Sequence, residues 1–159
     1  MDTLTKVMIK NAFLNCGLAT AFINGIISYL TLAKVEMFEN TDLVFNFLGT
    51  AIGCGIICPF FSGMILKNTI IKKGIQLGDK KKRKLAKWIP NNLLFGALMI
   101  GLFSAIFLWM IPYFFAEVFS ISFSLSRINW CICLGLYSGI AATFSAYFGV
   151  TRAYYARFS

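Results

Sequence analysis

Residues 128–151 read INWCICLGLYSGIAATFSAYFGVT, a run of 24 positions with no Lys, Arg, Asp or Glu. An α-helix needs about 20 mostly apolar residues to cross a hydrocarbon core of about 30 Å. Within the run, Gly135, Ser138, Gly139, Ala142, Ser145, Ala146 and Gly149 recur at i, i+3, i+4 spacing, which aligns them on one helix face. Helices in lipid associate by close backbone approach, and a stripe of small residues permits it. The run therefore predicts a membrane helix packed tightly on another helix, in the same chain or in a second copy.

Outward from this run lie three more uncharged stretches, residues 11–33, 43–66 and 88–111. The chain has 159 residues, 58% of them apolar and only 13% charged, against about 45–50% and about 25% in soluble domains. A soluble fold of about 150 residues buries only about 70% of its chain surface, so much of this apolar surface would face water. The expected fold is all-α: one polytopic membrane domain over residues 1–159 with four transmembrane helices.

Aromatic and proline positions agree. Trp88 and Trp109 are 21 residues apart, about 31 Å along a helix, so both rings reach the interfaces of the third span. Trp130 is placed at an interface in the same way. Pro90 suits a first helical turn, Pro112 is expected to stop the third helix, and Pro59 should kink the second unless neighbours satisfy the freed carbonyl. The first span is too long for a signal-peptide core and lacks a small-residue cleavage site, so a retained helix is expected.

Orientation follows from the basic residues. Thirteen Lys and Arg fall in the N-terminal tail, the 67–87 connection and the C-terminal tail, against Lys34 and Arg127 in the other two connections. By the positive-inside bias, both termini and the 67–87 connection are cytoplasmic. The Lys-, Ile-, Asn- and Phe-rich composition points to a bacterial inner (cytoplasmic) membrane. The 67–87 connection has nine basic residues, with Lys80, Lys81, Lys82, Arg83 and Lys84 consecutive. Each basic residue near a surface contributes about 1 kcal/mol of attraction to anionic lipid. Nucleic acid is not the expected partner, because no aromatics interleave the run.

The spans also resemble one another in pairs. A shift of 80 places Asn11 on Asn91, Leu14 on Leu94, Ala21 on Gly101, Asn24 on Ser104 and Ile26 on Ile106. A shift of 86 places Leu48 and Gly49 on Leu134 and Gly135, Gly53 on Gly139, and Gly63 on Gly149. The expectation is a parallel 2+2 duplication, with units 1–66 and 88–159 related by a pseudo-twofold axis along the membrane normal.

The first span carries Gly17, Ala21 and Gly25 beside Thr20, Asn24 and Ser28. Polar groups in lipid need partners, so this face should look into the bundle. Thr20, Asn24, Ser28 and Ser104, the duplicate of Asn24, form a candidate polar face. It serves either interhelical hydrogen bonding or the lining of a polar path. The connection from Pro112 to Arg127, rich in Phe and Ser, should lie on the membrane or dip into it.

Reactive groups are sparse. The chain has no His, which removes the commonest general base. Its five Cys all lie in apolar runs and read as small hydrophobes. No phosphate loop, nucleophile–base pair or carboxylate pair is present, and no span holds an ionisable residue of the kind proton-coupled carriers use. No enzyme activity and no cofactor is expected. The surviving reading is a transport-type protein, facilitator or channel-like, acting as a dimer. The alternative is an accessory subunit packed against a larger membrane complex.

Overall fold

The computed structural model describes residues 6, 10–33, 37–38, 40–73, 92–119 and 124–155. Helix α1 begins as π-helical turns (Asn11–Leu18) and continues as α-helix (Ala19–Thr31). Strand β1 is Met37–Phe38 and helix α2 is Asn40–Lys73. Helix α3 runs as α-helix (Leu93–Ser104), π-helix (Ala105–Met110) and α-helix again (Ile111–Val118). Strand β2 is Leu125–Ser126 and helix α4 is Arg127–Tyr155. Windows in α1, α2 and α4 (Leu14–Thr31, Asn46–Thr69, Arg127–Arg152) are long and apolar enough to cross a membrane, and Leu94–Met110 is a shorter apolar helix.

The bundle puts most of its large apolar side chains outside and many of its small residues inside. Phe22, Leu30, Phe95, Phe114 and Leu136 are exposed, whereas Ala51, Ala141, Ala142, Ala146, Ser62, Ser104, Ser138 and Ser145 are buried. Lipid tails are as apolar as Leu, so helices gain little by hiding large side chains and much by close contact. Helix α4 is central: α1 and α2 both pack along it, α3 packs on α2, and α3 touches α4 over a smaller area.

The small-residue stripe of α4 is consumed within the chain. Gly135 and Gly139 face Ala21, Gly25 and Gly17 of α1, and Gly149 sits directly on Pro59 of α2. Ala142 and Ala146 pack with Cys54 and Cys58 of α2. Ser145 bonds Ser104 of α3 at 2.8 Å, and the Ser138 hydroxyl donates to its own helix at Gly135 O, 2.8 Å. The partner of this face is the same chain.

Helix α3 does not stop at Pro112. Proline removes an amide whose bond would have ended on the carbonyl four residues back, here that of Leu108. That carbonyl accepts instead from the Tyr137 hydroxyl at 3.1 Å. The π-helical turns just before Pro112 change the bonding register at the same place, a common feature of tolerated interruptions. The helix therefore continues to Val118. Tyr137→Phe should lower stability by about 1 kcal/mol, the scale of an interhelical bond in lipid, read as a lower unfolding midpoint in detergent. Helix α2 likewise passes through Pro59 unbroken and extends to Lys73, so the first seven residues of the 67–87 connection are helical. Lys80, Lys81, Lys82, Arg83, Lys84, Trp88 and Pro90 lie outside the described residues.

Two other expectations are corrected at the bundle ends. Trp130 is not an interfacial anchor but is fully buried. Phe38 stacks on it at 4.6 Å and Phe47 meets it edge-on at 5.7 Å. The cause is the antiparallel pairing of β1 with β2, Met37 opposite Ser126 and Phe38 opposite Leu125, which folds Phe38 onto the indole. Arg152 is not in a free tail: α4 continues past it, and its guanidinium is buried over Gly96, where a β-carbon would come within 2.6 Å of Nε. At the other end of α4, Arg127 donates to Tyr29 O at 2.5 Å and Ala33 O at 3.2 Å and lies 4.2 Å over the Tyr29 ring. A cation there satisfies carbonyls left open at the C-terminal end of α1.

Candidate functional site

Helices α1 and α2 are neighbours that hardly touch. They meet near the N-terminal end of α1, where Cys16 packs against Cys54 and Cys58 of α2. Beyond that point each leans on α4 rather than on the other: α1 through Gly25, α2 through Phe47, which meets Trp130 and Tyr137. The physical reason is the distribution of small residues. The face of α1 that permits backbone contact is matched by glycines on α4, and the adjoining face of α1 carries Thr20, Asn24 and Ser28.

The result is a groove of about 530 Å³, open between the C-terminal half of α1 and the N-terminal half of α2 and floored by Leu134 of α4. Thr20, Asn24 and Ser28 form its α1 wall, with Ile23 and Ile27; Asn46, Thr50 and Ile57 form its α2 wall. Its volume lies within the usual range of ligand sites, about 300–1,000 Å³. None of the residues lining it carries a charge. Thr50 donates to its own helix at Asn46 O, 2.7 Å, and Asn24 makes no hydrogen bond to another described residue.

Three of the four residues of the sequence-derived polar face, Thr20, Asn24 and Ser28, therefore line one groove. Ser104 lies elsewhere, fully buried and bonded to Ser145 between α3 and α4. The sequence reading missed Asn46 and Thr50. Their signal was available: two polar residues four apart within an apolar span share a helix face, as Thr20, Asn24 and Ser28 do.

The groove has no acid–base pair and no nucleophile beside a base. Among the described residues no group of three Cys, Asp or Glu side chains is arranged to hold a metal ion. What the arrangement offers is a row of neutral donors and acceptors set in an apolar wall. Compared with known protein families, curated proteins and solved structures, the chain finds no match.

Proposed function

We propose that the chain is a small, non-enzymatic, transport-type protein of the bacterial cytoplasmic membrane, spanning it four times with both termini inside. The observation that carries this is the uncharged polar groove between α1 and α2. In the orientation set by the basic residues, the groove opens toward the outer half of the bilayer and is closed on the cytoplasmic side by the contact around Cys16 and Cys58. Passage requires that contact to part, and a neutral lining fits a neutral solute.

Helix packing also supports the two-hairpin relation. α1 leans on α4 and α3 on α2, with α2 and α4 together at the centre, the arrangement produced by exchanging two hairpins about an axis between α2 and α4. The register is looser than the packing order. A shift of 86 carries Gly135 and Gly139, the neighbours of Ala21, to Gly49 and Gly53, whereas Gly101 lies on Gly55. The groove itself is not repeated, since Ser104, at the place of Asn24, bonds Ser145. A dimer loses the support of the α4 stripe, which is filled from within.

The test is reconstitution in liposomes with measurement of glycerol, urea and erythritol flux. At least one solute should move about tenfold faster than through empty vesicles, and Asn24→Leu should abolish the gain while leaving the fold intact. Background flux from well-folded protein that co-purifies with another membrane protein would replace this reading with that of an accessory subunit.

A further inference from the structure

We infer that the groove binds an amphiphile with an uncharged, multiply hydroxylated headgroup, of the kind a simple glycolipid carries, its hydrocarbon tail leaving sideways between α1 and α2. The inference rests on the transport reading for the site and names its ligand class.

The half-buried amide of Asn24 faces a groove that opens into the apolar belt of the protein, and no other described residue satisfies it. An amide left unbonded in hydrocarbon costs several kcal/mol, so the groove needs an occupant that hydrogen-bonds. Thr20 to Ser28 spans eight residues, about 12 Å along a helix, and Asn46 and Thr50 face it across the gap. With the Asn24 amide, the acceptor lone pairs that the Thr20, Ser28 and Thr50 hydroxyls keep match a headgroup bearing several hydroxyls rather than one. Charge narrows the class further. A phosphate, carboxylate or ammonium in the groove would meet no opposite charge among its lining residues, and an unpaired charge in a low-dielectric site is strongly disfavoured. The tail has its own surface: Ile23, Ile27 and Ile57 line the groove and are themselves exposed, so a hydrocarbon chain passes from the headgroup to the lipid over continuous apolar contact.

The test uses the full chain in phosphatidylcholine nanodiscs free of sugar detergent. Three photoreactive probes share one diazirine-bearing alkyl chain and differ in headgroup: glucoside, phosphate and trimethylammonium. The glucoside should label α1 and α2 at the groove at least tenfold more than either charged probe, with octyl glucoside competing. Asn24→Leu and Thr50→Val should each reduce that labelling several-fold, and Ile140→Val, on the exposed face of α4, should leave it unchanged. Equal labelling by all three probes, or adducts spread over the outer faces of α3 and α4, overturns the inference. Binding is read without flux, so the two ideas fail separately. Solute flux without glucoside selectivity defeats the ligand class alone. Selective binding with no transport of any solute defeats the transport reading alone.

Discussion

Gly149→Ala should destabilise the bundle by about 1–3 kcal/mol, the range for forcing volume into a packed core, and Gly149→Leu should prevent assembly. A β-carbon at this position would run into the backbone and ring of Pro59, including its carbonyl oxygen at 2.6 Å. Neither partner has a flexible end that can move aside, because Pro59 is itself fully buried within α2. The added methyl therefore pushes the two central helices apart, and every contact that α1 and α3 make with them shifts as well. Gly49→Ala and Gly53→Ala are the matched controls. Both sit in α2 with nothing within 4 Å of an added β-carbon, and alanine is favoured over glycine in a helix by about 1 kcal/mol. Thermal unfolding in a mild detergent should rank the variants with Gly149→Ala well below wild type and the two controls at or above it.

Trp130→Ala is expected to be more damaging still, by about 3–5 kcal/mol, the scale of removing a large aromatic from a packed interior. The indole is the centre of a cluster: Phe38 stacks on one side, Phe47 meets it edge-on, and Phe47 in turn lies 4.3 Å from the Tyr137 ring. Removing it leaves Phe38 without a stacking partner and so loosens the pairing of β1 with β2 that ties the two connections together. Trp130→Phe should retain most of the stability. It keeps a ring for Phe38, and it deletes an indole N–H that has no hydrogen-bond partner among the described residues, so no bond is lost. Comparable unfolding midpoints for the Ala and Phe variants would contradict this role.

Residue chemistry made some of this architecture readable in advance and hid the rest. Charge-free runs and helical spacing locate the apolar helices because both signals are local. The α4 stripe pointed to close helix packing for the same reason, since small residues at i, i+3, i+4 permit backbone contact. Which helix fills the stripe was not, because Gly135 and Gly139 suit α1 of the same chain and another copy equally well. Pro112 misled because a proline's effect depends on a distant atom: the hydroxyl of Tyr137, on another helix, takes the carbonyl that proline frees. Trp130 misled because an aromatic at a helix start serves a lipid interface or a core cap, and the two-residue pairing of β1 with β2 decides between them. At the groove, Thr20, Asn24 and Ser28 were legible as a face. Asn46 and Thr50 become part of the same feature only once α2 is set opposite them.

The measurement that bears most directly on the account is the sidedness of its connections. In a variant whose native cysteines are replaced by alanine, single cysteines introduced as Lys34→Cys, Lys82→Cys and Ser159→Cys are exposed to a membrane-impermeant maleimide on intact cells. Four crossings with both termini inside predict labelling at position 34 without permeabilisation, and at positions 82 and 159 only after it. Labelling at 82 or 159 in intact cells would contradict four crossings with both termini inside and, with it, the placement of the groove.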